Sequence, residues 1–401
     1  MTAVPLLLLF LLLGCIPPFA VARQHIVLDV DGSVEDYASL TSIAQNPNLR
    51  SQLSLITVSG MTWGHAATLA RNLCRFLSLA QLEAVTVSVG ALTAAADEYD
   101  ASVSRGGCGH SQGFPSTPHD ALRRGMTYSR ADVTNSFGAA YSLPPKSCKV
   151  EVSASQALYD MLAGMSAGDT VVYLALASST NLASALRYLG RRDPASLQRF
   201  KRSAVVHFLE KGYSLAVDNT STSYVLAEPG LRIVLYLPSF YDPAVTFSVS
   251  SWSELSTMAK ARDISRAVKW LFGAWEAKKA LVESRSNDAH TAFFREGGPA
   301  SSLVTLCALD ATVRASCTTY RTALSSVSLH LAQPTHAGAG TVQYRITGNN
   351  VTWPSYLLAT PRDGLGATHY LVAQPADRFM PPAATSLASV FMSVWSDLLR
   401  S

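Results

Sequence analysis

His25-Ile26-Val27-Leu28-Asp29-Val30-Asp31-Gly32-Ser33-Val34-Glu35-Asp36 is the stretch on which the reading of the fold turns. The apolar run Ile26 to Leu28 predicts a strand, which ends in Asp29 and Asp31. A small-residue turn then leads to Glu35 and Asp36 at the start of an expected helix, Asp36 to Ala44. Four carboxylates within eight residues raise one another's pKa and cost stability unless a cation or a shared proton compensates. A hard cation such as calcium, which takes several oxygen ligands in irregular geometry, suits that cluster. A solvated acidic turn before a helix N-terminus, where carboxylates are favoured anyway, accounts for the spacing equally well.

Outward from this stretch, strand and helix alternate. Leu53 to Val58 reads as a strand, Ala66 to Leu79 as a helix and Ala84 to Val89 as a third strand. After a Gly/Ser/Pro/Thr-rich excursion from Ala94 to Pro145, the rhythm resumes with a helix over Ser155 to Gly164 and a strand over Val171 to Ala177. Ser178-Ser179-Thr180-Asn181 is expected to cap the next helix, Leu182 to Leu189. Ala204 to Leu209 and Leu231 to Leu237 read as strands, Ile264 to Glu283 as a helix with an apolar face, and Thr385 to Leu399 as a closing helix. Such alternation predicts an α/β fold with a largely parallel sheet flanked by helices. Ligands in such sheets bind beyond the carboxyl ends of the strands, which is where Asp29 and Asp31 fall.

Composition narrows the function classes. Apolar residues make up 48% of the 401 and charged residues 15%, enough for a large core and too apolar for global disorder. The 32 Lys and Arg barely exceed the 28 Asp and Glu, which is no nucleic-acid footprint. An apolar block from Pro5 to Ile16, then Ala20-Val21-Ala22 before Arg23, reads as a secretory signal over residues 1–22, although Met1 to Val4 holds no Lys or Arg. Residues 23–401 are then a single domain with no expected membrane span, in a secreted or endomembrane-lumen protein. Asn219-Thr220-Ser221 and Asn350-Val351-Thr352 are glycosylation sequons in keeping with that compartment. Cys108 with Cys148 is the favoured disulfide and Cys307 with Cys317 a second option, while Cys74, in a helical apolar pattern, reads as a buried thiol.

The run Asp29-Val30-Asp31-Gly32-Ser33-Val34-Glu35-Asp36 resembles the N-terminal fingerprint of the inosine-uridine preferring nucleoside hydrolases, Asp-x-Asp-Pro-Gly-x-Asp-Asp. Ile56-Thr57-Val58-Ser59-Gly60, Arg71-Asn72 and Val87 to Ala91 are similar to the segments that follow it in that family. So are Ser178 to Ala183, Leu309-Asp310-Ala311 and Ala376 to Phe379, all in the same order. The resemblance implies a calcium-dependent hydrolase of the N-glycosidic bond of ribonucleosides or related N-ribosides, serving purine or pyrimidine salvage. Its partner would be a small-molecule nucleoside, and self-association into a homo-oligomer stays open. By position, Asp31 would be general base and calcium ligand, with Asp36, the Thr180 carbonyl and Asp310 completing the metal set. Asp29 would support the cluster and Glu35 would take the place of a ribose-contacting Asp, which makes both substrate-binding residues.

The departures define an alternative. Glu35 is longer than the family's Asp, and Met61 stands where the family has Asn. The family's Glu-x-Asn ribose clamp would fall near Thr222 to Tyr224, where neither residue occurs, and Leu309 replaces a His tied to base recognition. A non-catalytic binding or surface protein that keeps the fold, with or without the metal site, is therefore the second expectation. His65 and His110 lie in segments that could approach the sheet edge and replace a missing acid, though a loop histidine is more often simply solvated. Trp63 could stack on a base, against the commoner fate of a buried aromatic.

Overall fold

The computed structural model describes residues 22–32, 34–59, 66–90, 150–151, 153–209, 219–236, 254–255, 257–258, 265–273, 300–316, 318–322, 327–331, 342–346, 368–373 and 395. The signal block, Met61, Trp63, His65, His110, Cys108, Cys148, Cys317, the Asn350 sequon and the segment at Ala376 to Phe379 lie outside these residues.

The first strand, β1 (Gln24–Val30), is buried from Ile26 onward on both faces, as the central strand of a parallel sheet must be. The chain continues through α1 (Val34–Gln45), α2 (Pro47–Arg50), β2 (Leu53–Val58), α3 (Ala66–Leu79), β3 (Thr86–Val89) and β4 (Val150–Glu151). Next come α4 (Ala154–Ala163), β5 (Thr170–Ala175), α5 (Thr180–Arg192), α6 (Pro194–Ser203), β6 (Ala204–Leu209), α7 (Asn219–Ala227) and β7 (Arg232–Tyr236). The series ends with α8 (Ala300–Leu309), α9 (Ala311–Ser316), β8 (Thr318–Thr322), β9 (Val327–Leu331), β10 (Val342–Ile346) and β11 (Thr368–Ala373).

Among the described residues, nine strands form one sheet in the order β4-β3-β2-β1-β5-β6-β7-β11-β8. Every neighbouring pair is parallel except β11 with the edge strand β8. The remaining two, β9 and β10, pair antiparallel on their own. The predicted α/β fold, a largely parallel sheet with covering helices, is thus present. Its order decides the site: β1 to β4 march one way, then β5 returns to the other side of β1. The crevice between β1 and β5 is the topological switch point, where open α/β sheets bind ligands.

Side-chain alternation along β1 feeds two cores. Ile26, Leu28 and Val30 join the face covered by α1, α3 and α8, while Val27 joins the face covered by α4, α5, α6 and α7. On the first face Tyr37, Phe76 and Trp270 make an edge-on aromatic cluster, with ring centroids 4.7–5.2 Å apart. Residues 266–273 are helical, as expected within Ile264 to Glu283, and Val268, Leu271 and Phe272 are buried there. Cys74 and Cys307 are both disulfide-bonded and both lie in this core. The Cys74 thiol expected from the helical pattern is therefore corrected to a half-cystine. Periodicity records only that a cysteine is buried and carries no mark of its oxidation state.

α8 lies along α1, with Ser42 Oγ 3.3 Å from Ser302 Oγ. That contact joins the last turn of α1 to the first turn of α8, so the two helices run antiparallel. Going back from Ser42 to Glu35 covers about 10 Å, and going on from Ser302 to Asp310 about 12 Å. Asp310 thereby comes to the level of the α1 N-terminus. No helix among the described residues is long and apolar enough to cross a membrane.

Candidate functional site

The carboxyl end of β1 brings Asp29, Asp31, Glu35 and Asp36 into one buried corner, with fractional exposures of 0%, 1%, 8% and 0%. A tight turn makes this corner. Gly32 has φ +79°, and a Cβ there would stand 2.8 Å from Leu69 Cδ2 of α3. A side chain at that position would be both strained and in collision. Asp36, in the first turn of α1, folds back so that its Oδ2 accepts the N–H groups of Asp31 and Gly32, each at 3.0 Å. A carboxylate suits that place, since the helix N-terminus carries partial positive charge. Asp36 therefore fixes the turn as well as lining the corner.

Asp29 faces the α5 side of the sheet and is held by three donors. Thr57 Oγ1 at 2.9 Å and Asn181 Nδ2 at 2.8 Å donate to Oδ1, and the Tyr173 hydroxyl at 3.0 Å donates to Oδ2. These donors come from β2, α5 and β5, so one carboxylate ties together the two strands beside β1 and the helix that follows β5. Burial pushes its pKa from 3.8 up to about 7 against the pull of these hydrogen bonds, and the Asp31 charge adds to the rise. Asn181 is in turn packed on Gly90 at the end of β3, where a Cβ would come within 2.1 Å of Asn181 Oδ1. Any larger residue at Gly90 displaces the amide that serves Asp29.

The expected cap at Ser178 to Asn181 takes another form. Ser179 occupies the N-cap position of α5 without a side-chain capping bond. Its hydroxyl instead meets Thr222 Oγ1 of α7 at 3.0 Å, and Ser178 Oγ lies 3.1 Å from Ser59 Oγ and 3.2 Å from Thr180 Oγ1. This pair of hydroxyl links, one through Ser59, Ser178 and Thr180 and the other from Ser179 to α7 at Thr222, lies at the carboxyl ends of β2 and β5, and its second member falls within the segment matched to the ribose clamp. A pairwise reading of spacing misses it, because its members are far apart in sequence. The available signal was a set of small hydroxyl residues at the ends of otherwise apolar strands.

Thr180 opens α5 and is buried. Asp310 is half-buried between α8 and α9, where its Oδ1 accepts the Val313 N–H at 2.9 Å and so caps α9. The oxygen set of Asp31, Asp36, Asp310 and the Thr180 carbonyl is all hard donor, the chemistry that calcium takes. Among the described residues, however, no group of three or more His, Cys, Asp or Glu side chains is disposed to hold a metal ion. The donor types fit calcium, whereas a closed ligand shell is not formed by the side chains as they stand.

No protein-family model and no curated protein sequence matches the chain. Among solved structures, an inosine-guanosine nucleoside hydrolase superposes with TM-score 0.57 at 14% identity, covering 94% of this chain and 99% of that one. A plant nucleoside hydrolase, the PpNRh1 enzyme, gives TM-score 0.54 at 14% identity over 94% and 98%. A purine-preferring ribonucleoside hydrolase from Gardnerella vaginalis gives 0.55 at 13% identity over 94% and 99%. With its carboxylate corner at the sheet's switch point, the chain has a nucleoside hydrolase-like fold.

Proposed function

We propose that the chain hydrolyses the N-glycosidic bond of ribonucleosides or related N-ribosides, with calcium held among Asp31, Asp36, Asp310 and the Thr180 carbonyl. The observation that carries this reading is the burial of Asp29, Asp31, Glu35 and Asp36 together beside the switch point of a nucleoside hydrolase-like sheet. Burying four carboxylates in one corner opposes folding, and such arrangements concentrate at functional sites. Asp31 is the general base: its carboxylate takes the proton of a water that attacks C1′ of the ribose. A new C1′–oxygen bond forms and the bond from C1′ to the base nitrogen breaks; the departing base takes up a proton from solvent while Asp31 gives its own proton back to solvent. Glu35, in the first turn of α1, contacts the ribose hydroxyls, while Asp29 braces the corner through Thr57, Tyr173 and Asn181. Calcium, when bound, supplies positive charge that offsets the carboxylate repulsion and acidifies the water it touches.

The test is turnover of inosine, uridine and p-nitrophenyl riboside in calcium buffer, beside an Asp31→Ala control. Loss of the general base is expected to lower kcat/KM by about 10²–10⁴-fold. Activity in the unaltered chain no greater than in the control overturns the reading. A specific observation favours a second one, a non-catalytic binding protein. Thr222 and Tyr224 occupy the segment where the resemblance expects the Glu-x-Asn clamp, and hydroxyl-recognising sites lose several orders of magnitude without their partners. Calcium or nucleoside binding by calorimetry without turnover would select it.

A further inference from the structure

At the opposite end of the sheet, Arg23 is held from three sides. Its backbone N–H donates to Asp169 Oδ1 at 2.8 Å, its carbonyl accepts the Thr170 N–H at 2.9 Å, and its guanidinium donates to the Ser51 carbonyl. Asp169, only 8% exposed, turns its other oxygen to the Ser166 N–H at 2.7 Å and to His25 Nε2 at 3.4 Å. Gly168, at φ +96°, makes the turn that presents this carboxylate. Main-chain N–H groups, Arg23 first and Ser166 second, hold its carboxyl below the usual range, so it stays ionised. An ionised, largely buried acid thus has as a principal partner the main-chain nitrogen of one residue near the start of β1. That residue directly follows Ala20-Val21-Ala22.

We propose that the Ala22–Arg23 bond is a processing site and that Asp169 is the receptor for the α-ammonium group which cleavage creates. A signal peptidase adds water across this bond, leaving a carboxylate on Ala22 and an ammonium on Arg23. The same nitrogen that donates one amide proton at 2.8 Å then carries a positive charge and three protons. A neutral hydrogen bond becomes a charge-assisted one at a carboxylate already in place. Among the described residues, the ionisable side chains beside it are Asp169, the Arg23 guanidinium turned onto Ser51, and His25 from β1. The half-cystines Cys74 and Cys307 fit the oxidising compartment in which such processing occurs. The proposal is independent of the activity proposed above.

The test uses the full chain, produced with its own leader in a secreting cell. The mass of the product is expected to place its first residue at Arg23; any other N-terminus overturns the processing site. The α-amine of that product is then acetylated selectively, and melting is compared at pH 6.5 before and after. The free-amine form is expected to melt roughly 2 °C higher. The difference is expected to fade as the pH rises past the range where an α-amine deprotonates, roughly pH 8. It is also expected to vanish in Asp169→Asn. Equal melting of the free and acetylated forms, or a difference that persists in Asp169→Asn, overturns the receptor. Should Asp169→Asn fail to fold, the pH profile of the unaltered chain still decides, since a gap unchanged at pH 9.5 also overturns it.

Discussion

Asp29 and Asp169 sit at opposite ends of the same two strands and reach opposite electrostatic solutions. Asp169 precedes β5 at the amino edge of the sheet, near the surface, with main-chain donors that hold its carboxyl below the usual range. Asp29 lies at the carboxyl edge with no exposure, and three good side-chain hydrogen bonds fail to keep its pKa from rising to about 7. The contrast shows that donors alone do not offset complete desolvation when a second carboxylate, Asp31, stands beside the first. Asp169 is an acid placed where the fold gains from its charge. Asp29 is an acid kept where the fold loses by it, which is the mark of a corner organised around something other than stability.

The largest expected effect tests that loss. The folded pKa of Asp29 lies above its unfolded value, so its contribution is fully present below about pH 4 and is lost as the pH rises through about 7. The span from 3.8 to about 7 corresponds to roughly 4 kcal/mol. Urea denaturation in calcium-free buffer at several values between pH 4.5 and 7.5 should show this downward slope, and Asp29→Asn should flatten it. An identical slope in the variant would break the comparison with Asp169.

Gly90→Ala acts on the same corner indirectly. Its Cβ would collide with Asn181, and the lost donor and the forced shift should cost about 1–3 kcal/mol in denaturant. Retained stability would mean that Asn181 can move without loss of its bond to Asp29.

Tyr173→Phe removes one donor and nothing else of the ring. It should cost about 1 kcal/mol and move the Asp29 titration further up, which carbon-detected NMR of the carboxyl can follow. A downward move would contradict the role given to that hydroxyl.

The smallest effect lies at the other edge. The folded pKa of Asp169 is depressed, so its stabilisation holds above the unfolded value and is lost as the pH falls below it. Asp169→Asn should shift the acid-unfolding midpoint slightly upward in pH. A flat response there would break the contrast, because the fold would then gain nothing from the Asp169 charge.

The strands were legible because their apolar runs are short and bounded. Leu53 to Val58 and Ala204 to Leu209 match the observed strands residue for residue. The short helices α2 and α6, each begun by a proline after an Asn46 or Asp193 cap, are not predicted by the apolar periodicity. Their signal is local turn chemistry, weaker than a long periodicity. Asp29, Asp31, Glu35 and Asp36 could be read as one cluster since eight residues hold all four. Thr57, Tyr173 and Asn181 could not be read as partners of Asp29, because each lies on a different element, up to 152 positions away.

By itself, then, the sequence determined the α/β alternation, the parallel sheet and the acidic turn at the end of β1, all of which follow from residue order over short windows. Only the tertiary structure decided which neighbours those acids have. The return of β5 to the free side of β1 brings Tyr173 and Asn181 onto Asp29, and the antiparallel packing of α8 on α1 carries Asp310 to the level of Glu35. Sheet order and helix direction are set by how distant apolar faces are buried together. No window of the chain records that choice, and the electrostatics of Asp29 and Asp169 depend on it.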